Sequence, residues 1–207
     1  ETNDAQVEQY VTPIMSRITG YVQEVRYEEN QFVHKGDTLL VIDNREYKSR
    51  LDVALADVES AKRNSVVVEK NVATTASATS IGKSQLAAAK TNLWKTQLEY
   101  QRYKALVNEG AATEQQLEKV KADYESAQAH YQEMSNRIES SNLSTSQAVA
   151  NVPTAQTVIQ SKQALVDNAA LFLSYTVITA PYDGWVAKKT IQPGQMVKEG
   201  QTLLSMV

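Results

Sequence analysis

The side chains that do most metal and nucleophile chemistry are nearly missing from this chain. There is no cysteine, and the only two histidines are His34 and His130. Without Cys there can be no disulfide, thiolate ligand or thiol nucleophile. Neither His has a second His or a carboxylate at metal-ligand spacing, so His34 reads as a turn residue and His130 as a neighbour of an apolar seam. No Ser/His/Asp set, phosphate-cradling glycine loop or isolated inward-facing carboxylate pair emerges. Tyr100, Tyr103, Tyr124 and Tyr131 suggest either an aromatic cage or packing. Each falls on a heptad position opposite a small or apolar residue, which favours packing. The expectation is a protein without catalysis, cofactor or metal, working by shape and contact.

Charge and hydropathy narrow the partners. The formal net charge is -3, and Lys and Arg alternate with Asp and Glu instead of forming a block. That leaves no basic field for nucleic acid. No run reaches the ~18 apolar residues that cross a bilayer, and Glu1 opens no signal-like segment, so a membrane anchor is expected outside these residues.

The residues must be positioned by elements of two kinds. Only 7 Gly, 4 Pro and 2 Phe occur in 207 residues, and the stretch from about residue 45 to 173 is dominated by Ala, Gln, Ser, Thr, Lys and Glu. Gly, Pro and alternating Ile and Val gather toward the two ends, which predicts β, then α, then β. The two ends repeat. Residues 20–42 align without a gap on 184–206 at an offset of 164, with Gly20/Gly184, Val22/Val186, Gln31/Gln195, Val33/Val197, Gly36/Gly200, Thr38/Thr202, Leu39/Leu203 and Leu40/Leu204 identical. Each copy reads as short strands punctuated by turns at His34-Lys35-Gly36-Asp37 and Lys198-Glu199-Gly200-Gln201. A few such strands cannot cover their own apolar face, so the copies must pack on each other, and residues 11–43 with 176–207 are expected to form one β domain.

Between them an unbroken three-four spacing runs from Tyr47 to Val107 and again from Leu117 to Leu173, the seam of an antiparallel coiled coil over residues 44–175. If the chain reverses at Gly110, facing residues have numbers summing to about 220. That register sets large against small: Leu51 on Ala169, Ala61 on Ile159, Ala89 on Tyr131, Leu93 on Ala127 and Thr96 on Tyr124. The polar seam residues also coincide, Thr75 and Thr79 facing Thr145 and Ser141, a patch expected to be a solvated or flexible joint. Pro153 is expected to kink or briefly break the second arm beside it. Asp43 with Glu46 and Thr113 with Gln116 have capping-box spacing, and Gly110 suits a helix-terminating left-handed residue, so the tip lies near 107–113. Arms of about 60 residues at 1.5 Å per residue reach roughly 90 Å, which suggests bridging between separated partners.

The residues Ile14-Met15-Ser16-Arg17-Ile18-Thr19-Gly20-Tyr21-Val22 and Gln31-Phe32-Val33-His34-Lys35-Gly36-Asp37-Thr38-Leu39-Leu40 carry one half of a recurring pattern. Ile178-Thr179-Ala180-Pro181-Tyr182-Asp183-Gly184-Trp185-Val186 and Pro193-Gly194 carry the other. Two such half-motifs around a helical pair resemble the periplasmic adaptors, or membrane fusion proteins, of the HlyD/EmrA type, over nearly the whole chain. The resemblance implies an α+β fold in which a long antiparallel two-helix coiled-coil hairpin is inserted into a split lipoyl-like (biotinyl/lipoyl) β domain. It implies a periplasmic subunit anchored to the inner membrane and followed by a β-barrel domain. Such a subunit forms a homo-oligomeric ring, trimer or hexamer, and links an inner-membrane transporter to a TolC-like outer-membrane channel for export of drugs and toxic compounds. Glu29-Asn30-Gln31 favours the variety that serves a major-facilitator pump. Arg102, Leu106 and Thr113 fit the R-x3-L-x6-S/T pattern with which such hairpins dock on the channel, with Thr where Ser is usual. A solvated Arg102 and a merely capping Thr113 are the plainer reading. Two alternatives stay open: an adaptor for type I protein secretion, and a lipoyl or biotinyl carrier subunit. Against the carrier, Asp43-Asn44-Arg45-Glu46 leaves the first half with no Lys to acylate.

Overall fold

The computed structural model describes residues 11–187 and 190–207. Lys188 and Lys189, the counterparts of Glu24 and Val25 in the repeat, lie outside the described residues. The elements run β1 (Thr12–Met15), β2 (Gly20–Val25), β3 (Phe32–Val33), β4 (Thr38–Ile42), α1 (Arg45–Asn108), α2 (Glu114–Ser174), β5 (Val177–Thr179), β6 (Gly184–Trp185), β7 (Met196–Val197) and β8 (Thr202–Met206). The described residues divide into two compact units, one from the two ends of the chain and the other Ala61–Val158.

In the first unit the sequence repeat becomes a structural one. An offset of 164 carries β3 onto β7 and β4 onto β8 residue for residue. Pairing is exchanged between the copies. Gly20 and Tyr21 of β2 pair with Val197 and Met196, while Gly184 and Trp185 of β6 pair with Val33 and Phe32. Hydrogen bonds obey the same exchange: Val22 N donates to Gln195 O and Val186 N to Gln31 O, both at 2.9 Å. The equivalence reaches further back than the identities that revealed it. β1 lies antiparallel to β8 as β5 lies antiparallel to β4, and Ser16 N donates to Gln201 O as Ala180 N does to Asp37 O.

Neither copy has a core of its own. One buried cluster joins Ile18, Val22, Leu40 and Ile42 to Ile178, Ile191, Val197 and Leu203. The other joins Tyr27, Val33 and Leu39 to Ala180, Val186, Leu204 and Met206. Burying these faces supplies the apolar burial that two- to six-residue strands cannot supply singly. Where the turns need a left-handed residue the copies differ: Asn30 at φ 58° stands where the second copy has Gly194 at φ 84°. Asn is the side chain that tolerates this conformation best after glycine. Tyr27, buried in the second cluster, has no hydrogen-bond partner for its hydroxyl among the described residues, and burial pushes its pKa up. At the entry to α1 the expected pairing of Asp43 with Glu46 is replaced. Asn44 occupies the cap, its carbonyl accepting from Lys48 N at 2.8 Å. Asp43 Oδ1 instead accepts from Arg45 N at 3.1 Å, and its carboxylate grips the Arg45 guanidinium. The nearer donor wins because Arg45 brings both an amide and a charge.

In residues 61–158 the two arms lie in the register the seam dictates. Thr79 meets Ser141, Oγ1 to Oγ 2.7 Å, and a Cβ on Gly82 would stand 2.6 Å from Ile138 Cδ1. Both pairs have numbers summing to 220. Tyr124, expected opposite Thr96, stacks on Tyr100 with ring centroids 5.6 Å apart and planes 4° from parallel. Side chains on a helix lean toward its N-terminus, so Tyr124 leans toward the tip and reaches the residue one turn nearer to it. Helix α2 runs through Pro153 without the break expected there. The proline withholds one donor, from the Val149 carbonyl, while buried Ala148 and Ala155 hold the arm on either side.

Candidate functional site

The reversal between α1 and α2 is built almost wholly from backbone hydrogen bonds. Gly110 takes φ 70°, Ala111 N donates to Leu106 O at 2.8 Å, and Gly110 N donates to Val107 O at 3.0 Å. These two bonds form a Schellman motif, which satisfies carbonyls that the end of α1 would otherwise leave open. The next helix starts with a reciprocal capping box: Thr113 N donates to Gln116 Oε1 at 3.0 Å, and Gln116 N donates to Thr113 Oγ1 at 3.3 Å. Glu114 in the first turn of α2 complements the positive end of the helix dipole.

Each residue that the sequence singled out falls on this turn or the helix leading to it. Arg102 and Leu106 are one helical step of four apart and share a face of α1. Arg102 is exposed and Leu106 half-buried, and no ion pair engages Arg102 among the described residues. Thr113 is exposed, and its hydroxyl oxygen accepts from Gln116 N, so its own proton stays available to an outside acceptor. The turn therefore combines a fixed backbone with an exposed cation, an apolar shoulder and one hydroxyl, a set suited to contact with a partner surface. The four tyrosines near it are all partly buried. Each histidine does have an acidic residue three positions on, Asp37 at 3.9 Å from His34 and Glu133 at 3.7 Å from His130. One carboxylate apiece falls short of a metal-binding set, and no group of three metal-binding side chains occurs among the described residues.

A second surface feature escaped the sequence reading. Phe32 and Trp185, 44% and 55% exposed, pack edge to face at 5.4 Å, and His34 packs on Phe32 at 5.3 Å. The repeat held the signal, since an aromatic residue follows both Gly20 and Gly184, but exposure decides its meaning and pattern does not reveal exposure.

A swapped-strand β unit interrupted by a helical hairpin defines the class. The family described as the barrel-sandwich hybrid domain of RND membrane fusion proteins matches residues 10–207, and the chain belongs to it. Among its relatives, the colistin resistance protein EmrA of Acinetobacter baumannii is 28% identical over 206 residues, covering 100% of this chain and 58% of that protein. The multidrug export protein EmrA of Haemophilus influenzae is 30% identical over 210 residues, covering 100% of this chain and 50% of its own length. The chain spans about half the length of the curated relatives it matches. The crystal structure of the soluble domain of LipC, a membrane fusion protein of a type I secretion system, has the same fold at TM-score 0.52 and 11% identity, covering 96% of this chain and 99% of that one. No described helix is long and apolar enough to cross a membrane.

Proposed function

We propose that this chain is the hairpin-bearing part of a periplasmic adaptor that links an inner-membrane transporter to a TolC-like outer-membrane channel for export of drugs and other toxic compounds. In this reading the protein is non-catalytic, held at the inner membrane by a segment outside these residues, and works as a homo-oligomeric ring of three or six. The observation that carries it is the family match over residues 10–207 together with relatives named for colistin resistance and multidrug export. The resemblance favours a major-facilitator pump, and the family's RND description supplies the alternative. Domains follow the same reading: residues 11–43 with 176–207 as the lipoyl-like part, 44–175 as the hairpin, 107–113 as the tip.

Arg102, Leu106 and Thr113 dock on the channel. A fixed turn costs little entropy on binding, and a desolvated Arg beside an apolar side chain is the kind of pair that carries binding energy. The test uses the full-length protein with its pump and channel. Arg102→Asp should leave stability within about 0.5 kcal/mol, since exposed substitutions rarely cost more, and half-buried Leu106→Asp is compared at matched folded abundance; both should lower channel capture and drug resistance together. Wild-type resistance from both variants at normal abundance refutes tip docking. Co-purification with a protein-secretion transporter would replace drug efflux by type I secretion.

A further inference from the structure

We propose that the hydroxyl-lined band where residues 71–82 face 138–149 is a built-in joint, at which the two arms part before the rest of the hairpin does. The proposal is independent of what the tip binds.

The seam in this band is Val72, Thr75, Thr79 and Gly82 against Ile138, Ser141, Thr145 and Ala148, where the layers nearer the turn use Leu, Met and Tyr. Thr79 is 6% exposed, and its Oγ1 lies 2.7 Å from Ser141 Oγ and 3.1 Å from Thr145 Oγ1. Buried hydroxyls normally make separation costly, because each would lose its partner. Here they do not, since each threonine already has an acceptor on its own helix. Thr79 Oγ1 lies 3.0 Å from Thr75 O, and Thr145 Oγ1 lies 3.0 Å from Ser141 O. A hydroxyl has one proton and two lone pairs, so Thr79 can keep its proton on Thr75 O while accepting from Ser141 Oγ across the seam. Parting the arms leaves the helix bonds of both threonines in place, gives the seam contact over to water, and exposes no seam side chain larger than Ile138.

No ion pair resists parting either. Residues 71–82 contain no charged side chain and Glu139 is the single charge in 138–149, so no ion pair between the arms can form within the band. The helices are also weak on their own account. Thr, Ser and Asn are poor helix formers, Gly82 costs more, and hydroxyls that bond back four residues loosen the helix that carries them. Thr74 and Thr75 make that contact with Lys70 and Asn71, and Ser144 with Ser140. Pro153 leaves the Val149 carbonyl without its helical donor. Packing is open on both sides. A cleft of about 280 Å³ lies among Ile81, Gly82, Met134 and Ile138, and another of about 330 Å³ among Val72, Val149 and Pro153.

The test is hydrogen exchange by mass spectrometry on the folded chain. Amides of residues 72–82 and 140–152 should exchange about tenfold faster than those of 86–100 and 120–134. The reference segments lie nearer the turn, so fraying from that end would give the opposite order. The triple variant Thr79→Val, Ser141→Ala, Thr145→Val makes the layer apolar and should slow exchange in the band about tenfold, with the reference segments unchanged. Pro153→Ala, which restores one donor at the surface, should slow residues 149–157 and serves if the triple variant fails to fold. A band protected as well as its flanks overturns the joint, as does a folded triple variant or a Pro153→Ala variant whose exchange stays fast.

Discussion

The close packing at the start of each β copy can be tested at one glycine in each. Gly20 and Gly184 are repeat equivalents, but their surroundings differ in what a methyl group would strike. At Gly20 a Cβ would stand 2.5 Å from Ile42 Cγ2, the end of a side chain. At Gly184 it would stand 2.6 Å from the backbone oxygen of Val207, which accepts a 2.9 Å hydrogen bond from Trp185 N. Ordinary contact begins near 3.4 Å, so Gly184→Ala must move a strand by roughly 0.8 Å or lose that bond. Overpacking costs about 1–3 kcal/mol and a lost hydrogen bond about 1, while the alanine returns about 0.5–1 by restricting the unfolded chain. The net for Gly184→Ala is about 1–3 kcal/mol. Gly20→Ala needs only a shift of Ile42, although that side chain is fully buried, and should cost about 1–2. Urea unfolding followed at Trp185 reads this unit, with exposed Trp94 replaced by Phe to remove the hairpin's signal. Equal midpoints for wild type and Gly184→Ala, or a larger loss at Gly20, would refute the close approach of Gly184 to the Val207 backbone as described.

The turn yields a second prediction: Gly110→Ala places a Cβ at φ 70° and Thr113→Ala deletes a cap, each costing about 1 kcal/mol by thermal melting, whereas Thr113→Asp keeps the cap and should melt like wild type. Loss of stability in Thr113→Asp equal to that in Thr113→Ala would show that the capping bond is not what Thr113 contributes. The third concerns pH. Hydrogen bonds from Arg45 hold the Asp43 carboxyl down to about 2, so its contribution is complete above the ordinary carboxylate range near 3.9 and is lost as pH falls through about 2. A carboxyl NMR titration should find that low midpoint and see it rise toward the ordinary range in Arg45→Ala; an unchanged midpoint in that variant would remove Arg45 as the cause.

What could be read from residues alone follows from how strongly burial constrains them. The seam and the β repeat were legible because a buried position admits few side chains, so spacing survives in Leu93, Ala127, Val33 and Val197. The repeat was cut short at Gly20 because residues 15–19 share nothing with 179–183, although Thr12/Thr176 and Ile14/Ile178 are identical beyond that gap. Strands β1 and β5 are edge strands, and most of their side chains are exposed, where residue choice is loose. Asp43 was misassigned because capping-box spacing cannot show a competing donor two residues away. The stack of Tyr124 on Tyr100 is not legible from number sums, which locate Cα atoms, while an aromatic ring reaches along the helix by its own length. Arg102 and Leu106 belong to the loosest category of all. Nothing inside the chain fixes an exposed guanidinium, so its identity carries information only about a partner, and contact with that partner is the observation that gives the residue a role.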